Sequence, residues 1–216
     1  MKQTIKQFFK KYTYIILPCV YGLWYLCAFF YVESLKPSSY HIVHLAIDDI
    51  IPFCEIFVIP YFLWFVYFTG ALVLLAFFER SDYYKLCATL GIGMTFFIFF
   101  SIAYPNMHTL RPTTFDRDNI FIKMVQGLYQ TDTSTNVLPS IHCYNAIMAH
   151  IAIQKSKTLE KHAGLRISSL ILCVLIVLST MLIKQHSVVD VLSACVMAVV
   201  LYVGVYIFFP RVHKNK

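Results

Sequence analysis

The sequence predicts an all-α bundle of six membrane-spanning helices, with short interfacial helices on the outer side. Three observations carry that expectation. Of the 216 residues, 59% are hydrophobic and only 13% are charged, where a water-facing domain carries roughly 25% charge. Mean hydropathy is +0.67. Aromatic residues reach 17%, with 19 Phe and 15 Tyr, which suits helices facing lipid and rings lying at its interface. Disordered, collagen-like and disulfide-scaffold classes are excluded on the same figures.

A helix needs about 20 mainly apolar residues to cross the hydrocarbon core. Six segments meet or approach this: 14–32, 56–78, 86–104, 139–153, 167–183 and 187–209. The first follows Lys2, Lys6, Lys10 and Lys11, as a signal peptide would. It is long and aromatic and lacks a small-residue cleavage site, so it is read as a retained span. The fourth is the shortest and carries Ser140, His142, Asn145 and His150. Such polarity inside a membrane is costly and marks function. Two connecting segments are patterned as helices lying in the interface. Residues 39–51 align Ile42, Val43, Ala46, Ile47 and Ile50, and residues 119–130 align Ile120, Phe121, Met124, Val125 and Leu128. No repeat, glycine-rich phosphate loop or composition break divides the chain, which is expected to form one domain over 1–216.

The formal charge of +7 sits in short segments between apolar runs, so it is read as a topology signal and not as a nucleic-acid surface. Thirteen of the 18 Lys and Arg fall on the side of the N-terminus; Lys36, Arg111, Arg117, Lys123 and Lys184 fall on the other. That bias predicts a multi-pass cell-membrane protein with both termini cytoplasmic and with Arg111, Ser140 and His186 at the outer face. The seven cysteines lie mostly within apolar runs without C-x-x-C spacing and read as small buried hydrophobes.

Three clusters on that outer side carry chemistry. Lys184 to Asp190 opens the last span, and His186 and Asp190 share a helix face at i, i+4. A carboxylate there accepts the Nδ1 proton and leaves Nε2 as an oriented lone pair, which suits a nucleophilic imidazole. Pro139 fits the first turn of a helix, which sets Ser140 and His142 beside unpaired N–H groups that favour anions. Arg111 adds a bidentate phosphate donor. Other candidates receive plainer readings. His150 is a hydrogen-bonder within the bundle, and His41, His44 and His108 are interfacial. Asp116, Asp118 and Asp132 are spaced irregularly for a metal and read as solvated loop acids.

Arg111-Pro112, Pro139-Ser140 with His142, and Ser179 with His186 and Asp190 resemble, in order and spacing, the three motifs of the type 2 phosphatidic acid phosphatase superfamily. The resemblance covers roughly residues 50–205. It implies a six-helix membrane enzyme that hydrolyses a lipid phosphate or pyrophosphate with neither metal nor cofactor. It also implies that His186 attacks phosphorus, Asp190 orients it and His142 serves as acid and base, while Arg111 and Ser140 bind phosphate. Three positions depart from the family pattern: Tyr104 and Thr180 stand where it has cations, and Ile141 where it has Gly. Lys184 is expected to replace one of the missing cations. The implied partners are a lipid phosphate and the membrane, with no nucleic acid. Related lipid phosphotransferases of the inositol phosphorylceramide and sphingomyelin synthase type are an alternative. A transporter or haem-binding protein using His142, His150 and His186 is a distant third.

Overall fold

The computed structural model describes residues 2–208, with side chains from residue 13 onward. Helix α1 (Lys2–Ser34) leads to strand β1 (His41–Ile42), the short α2 (Ala46–Ile50) and a 3-10 turn at Glu55–Phe57. Helices α3 (Val58–Phe78) and α4 (Arg80–Ala103) form a hairpin hinged on Glu79 alone. Strand β2 (Asn106–Met107), α5 (Ile120–Thr131), α6 (Ile141–Lys155), α7 (Ala163–Leu182) and α8 (Val188–Tyr202) follow, with a π-helical end at Val203–Phe208.

Five segments are long and apolar enough to cross a membrane: Thr13–Ser34, Glu55–Phe78, Arg80–Ala103, Ala163–Leu182 and Val188–Phe208. The expected fourth span is α6, whose 15 residues reach only about 22 Å at 1.5 Å per residue. It packs against α3, α4, α7 and α8, and Cys143, Tyr144, Ala146, Met148, Ala149 and Ala152 are fully buried. A helix enclosed by protein needs no lipid-matched surface, so α6 tolerates His142, Asn145 and His150. The exposed apolar surface lies on the other helices instead, where Leu17, Phe65, Phe99, Ile171 and Val196 are exposed.

Helix α6 approaches α4 closely because Gly93 makes room. A Cβ there would lie 2.3 Å from the Tyr144 ring, whose hydroxyl donates to the Thr89 carbonyl at 2.6 Å. Helix α1 is peripheral and packs on α4, pinned by Tyr21 Oη donating to the Gly91 carbonyl at 2.8 Å.

The interfacial segments come out differently. Residues 119–130 form α5 as expected, capped by Asn119, whose Oδ1 accepts from the Ile122 amide at 3.0 Å. Its buried face is Ile122, Val125 and Leu128, the last two clustered with Val58, Tyr61 and Ile183, while Ile120 is exposed. It covers protein. Residues 39–51 do not form one helix: only Ala46–Ile50 is helical, and His41–Ile42 pairs in parallel with Asn106–Met107. Backbone pairing with a distant strand has overridden the local helical pattern.

The reversals of the chain bring the starts of α3, α6 and α8 and the ends of α1, α4 and α7 to one end of the bundle, together with α2, α5 and the small sheet. Arg80, Lys85, Lys155, Lys157, Lys161 and Arg166 lie toward the opposite end. The side chains of Lys2, Lys6, Lys10 and Lys11, with Phe209, Arg211, Lys214 and Lys216, which the charge count and the last span also used, lie outside the described residues.

Gly93→Ala is expected to lower thermal stability in detergent by about 1–3 kcal/mol through overpacking against Tyr144. Gly70→Ala, with open space around its added methyl, serves as the control and should melt within about 0.5 kcal/mol of the parent. Equal melting of the two variants would refute the close-packing role of Gly93.

Candidate functional site

The site is built on the connection between α7 and α8. Helix α7 ends in a C-cap in which Lys184 takes the left-handed conformation at φ 55°. The Lys184 amide donates to the Met181 carbonyl at 3.0 Å, and the Gln185 and His186 amides both donate to the Thr180 carbonyl, at 2.9 and 3.0 Å. Glycine normally fills such a position. Ser187 then caps α8, its Oγ accepting from the Val189 amide at 3.2 Å, and Asp190 closes the box by accepting from the Ser187 amide at 2.9 Å. His186 is thereby fixed one residue before the cap. Its Nδ1 lies 3.2 Å from Asp190 Oδ2, the i, i+4 contact expected from the sequence.

Helix α6 begins beside it. The Ser140 amide donates to the Asp190 carbonyl at 3.2 Å, which ties the first turns of α6 and α8 together. His142 Nδ1 then lies 3.5 Å from His186 Nε2. The His142 ring sits between Tyr61 and Trp64 of α3, with centroids 4.5 and 4.3 Å away.

Two expected phosphate ligands have other work. Ser140 is fully buried, and its Oγ caps α6 by accepting from the Cys143 amide at 3.3 Å. Lys184 points away from His186: its Nζ donates to the carbonyls of Asp48 and Ile51, at 2.7 and 2.5 Å. A cation suits the carbonyl-rich end of α2, and the left-handed backbone at 184 aims the side chain there. Burial lowers the Lys184 pKa, against the pull of Asp48 and Asp49. Tyr104 stacks on His41 at 4.1 Å, and the Thr180 hydroxyl donates to the Val177 carbonyl at 2.8 Å, so neither position brings a cation.

Arg111 does reach the site. Its guanidinium lies over the Tyr129 ring at 4.4 Å and donates to the carbonyls of Tyr129 and Asp132, at 3.1 and 2.5 Å. It also donates to Gln185 Oε1.

Sequence reasoning missed four side chains here. Asp132 was expected in solvent, yet its Oδ2 accepts from Tyr61 Oη and from Gln185 Nε2 at 3.1 Å, and lies 4.0 Å from His142 Nε2. Gln185 links Arg111 to Asp132; its one available signal was its position next to His186. His108, also expected at the interface, is 1% exposed. Its Nε2 donates to the Gln185 carbonyl at 2.8 Å, and its Nδ1 accepts from the Leu110 amide at 3.2 Å. Asp48 accepts from Ser187 Oγ at 2.6 Å, the Val188 amide at 2.8 Å and the Leu45 amide at 2.8 Å. Burial raises the Asp48 pKa, but these bonds and nearby His44 outweigh it, and the carboxyl sits below its usual range. His150 lies deeper, with Nδ1 3.0 Å from Ser169 Oγ, a bundle contact as expected. Among the described residues no group of three His, Cys, Asp or Glu is placed to hold a metal ion.

A family model described as the PAP2 superfamily matches residues 39–204. Comparison with curated proteins and with solved structures gave no match.

Two outcomes follow from this geometry. Lys184→Ala should lower stability by about 1–3 kcal/mol, the cost of leaving two carbonyls without their donor, and Thr180→Arg should not restore it, because Thr180 is fully buried. A Lys184→Ala protein that melts like the parent would refute the anchoring role. The second outcome concerns pH. Burial, with repulsion from His186 and Arg111, pushes the His108 pKa down to about 3. Below the ordinary value near 6.5 the unfolded chain takes up a proton that the folded chain refuses. Stability from His108 is therefore full above about pH 6.5 and declines toward pH 3, by on the order of 1 kcal/mol per pH unit. Melting curves of His108→Gln should show a shallower loss between pH 7 and pH 5 than the parent; parallel losses would assign the proton to another group.

Proposed function

The chain belongs to the PAP2 superfamily, and from that premise we propose that it is a membrane lipid phosphate or pyrophosphate phosphatase. In this reading it works at the extracytoplasmic face through a phosphohistidine on His186. Family membership itself supports a phosphatase-type or related phosphotransferase activity. The single observation that carries the finer reading is the approach of His186 Nε2 to His142 Nδ1, 3.5 Å, with Asp190 held at 3.2 Å behind His186. One imidazole has its lone pair directed by a carboxylate, and the second stands where a leaving group needs a proton.

In the first step His186 Nε2 attacks phosphorus as the bond to the leaving oxygen breaks, and His142 gives that oxygen its proton. The Asp190 carboxylate balances the positive imidazole. In the second step His142 takes a proton from water, the new P–O bond forms, and the P–N electron pair returns to His186. Arg111 stabilises charge on the equatorial oxygens, exchanging its carbonyl partners for phosphate. No step in this scheme calls for a metal ion. A lipid substrate is supported by the position of the site at one end of a bundle of long apolar helices.

The charge of the site favours a second reading, transfer of a phospholipid headgroup to an alcohol. Arg111 is the cation among the site residues, and Asp132 and Asp190 are both close. Each additional negative charge on the substrate at about 4 Å from a carboxylate costs about 4 kcal/mol at an effective dielectric of 20. A phosphodiester brings less charge than a monoester, which is the argument for transfer.

His186→Asn should abolish turnover while folding is kept, and the acid-labile, alkali-stable phosphoprotein that labelled substrate forms with the parent should be absent from it. The assay uses purified protein in liposomes and reads free phosphate and transferred headgroup together, which separates the two readings. Near-parental turnover by His186→Asn at equal expression would end the phosphohistidine reading.

A further inference from the structure

The two histidines face one another as mirror images, each with a carboxylate behind it. His186 directs Nε2 toward its partner and Nδ1 toward Asp190. His142 directs Nδ1 toward His186 and, at 3.4 Å, Tyr61 Oη, and Nε2 toward Asp132 Oδ2, 4.0 Å away. The first pair is built within one helix start. The second joins α6 to the loop after α5, across the Tyr61 and Trp64 rings. From this arrangement we infer that Asp132 and His142 form a second dyad, in which Asp132 positions and charges His142 so that its Nδ1 acts as the acid and then the base.

The surroundings suit that task. Asp132 Oδ2 is fixed by Tyr61 Oη and Gln185 Nε2, so the carboxylate is aimed and not free to rotate. Its backbone carbonyl accepts from Arg111 at 2.5 Å, which couples the phosphate cation to the same residue. The aromatic faces of Tyr61 and Trp64 lie against the His142 ring, where π faces stabilise a cation. The charged and titratable groups facing His142 are Asp132, Tyr61 and His186; Arg111 acts on it through Gln185 and Asp132. A separation of 4.0 Å is an ion-pair distance, and acid–base contacts of this kind shorten when substrate closes the site. The balance is simple. His142 Nδ1–H passes its proton to the departing oxygen, and the neutral ring, its Nε2–H still directed at Asp132, then takes one proton from the attacking water or alcohol.

This inference rests on the phosphohistidine reading, and its test separates the two. Purified protein is assayed on a matched pair of phosphate esters, one alkyl and one p-nitrophenyl, from pH 5 to pH 9. The p-nitrophenyl group departs without protonation. Asp132→Asn should slow alkyl ester turnover by roughly 10²-fold, the lower end of what general acid–base catalysis contributes. The same variant should keep a first-turnover burst of p-nitrophenol within about threefold of the parent, since only the second step still needs His142. Without the carboxylate His142 loses its proton more easily, so the alkaline limb of the pH–rate profile should move to lower pH. Asp132→Glu should keep that limb in place. Asp132→Ser, which also removes the carboxylate, should move the limb to lower pH in the same way, and it carries the test if Asp132→Asn does not fold; Tyr61→Phe is unsuited, because Tyr61 Oη also lies 3.4 Å from His142 Nδ1. Equal losses on both esters with an unmoved limb, or an unmoved limb in Asp132→Ser, overturn the dyad alone. A parent protein that turns over neither ester overturns the phosphatase reading and the dyad with it.

Discussion

Asp190 is the residue on which the rest of the site depends. It is fully buried, which is costly for a carboxylate unless its surroundings meet it; Oδ2 is bonded, while Oδ1 has no hydrogen-bond partner among the described residues. Its Oδ2 accepts from the Ser187 amide and faces His186 Nδ1, while its carbonyl accepts from the Ser140 amide. One residue therefore caps α8, orients one histidine and sets the level of α6, from which the second histidine projects. Removing it would disturb the cap, the ring and the helix register together.

A second layer holds the connection that carries His186. Asp48 accepts from three donors at the start of α8 and in its own turn, and Lys184 returns the contact by capping the carbonyls of Asp48 and Ile51. The Cys54 amide donates to the Leu182 carbonyl at 2.9 Å, and Tyr129 Oη donates to the Ile183 carbonyl at 2.6 Å. Residues 45–54 thus clasp the turn from one side and α5 from another. Similar work is done for α6 by Asn106, whose Oδ1 accepts from the Val137 and Leu138 amides, both at 2.9 Å. His186 sits on a five-residue connection that would otherwise wander; here the connection is bonded to residues 45–54 and to α5.

The charges divide by role. Lys184 and Asp48 bond to the connection between α7 and α8 and to α2, Asp190 and Asp132 lie beside the two imidazoles, and in the proposed reading it is Arg111 that meets phosphate. In the proposed function, one cation beside two carboxylates argues for a substrate of low charge, because each added negative charge must be met by fixed dipoles instead of counter-ions.

The membrane class, the helices, and the pairing of His186 with Asp190 were legible in the sequence because each is a local matter: composition sets the solvent, and a four-residue spacing stacks two side chains on one helix face. The same holds for α5, whereas α6 starts later than the sequence suggested: Pro139 lies outside the helix, and Ser140 is its N-cap. The nearness of His142 to His186, 44 residues apart, was legible only through its resemblance to known motifs, since no local rule joins them. Tertiary structure alone decided the rest. It turned Lys184 toward α2, because the left-handed residue at the end of α7 sets the direction of its side chain. It brought Asp132, still partly exposed, to Tyr61, Gln185 and His142, and it buried His108 under Gln185. It paired His41–Ile42 with a strand some sixty-five residues away in place of the helix that local periodicity favoured. In each case the partner lies on a distant element, and a polar group is placed by whichever unsatisfied donor or acceptor the packed helices bring to it.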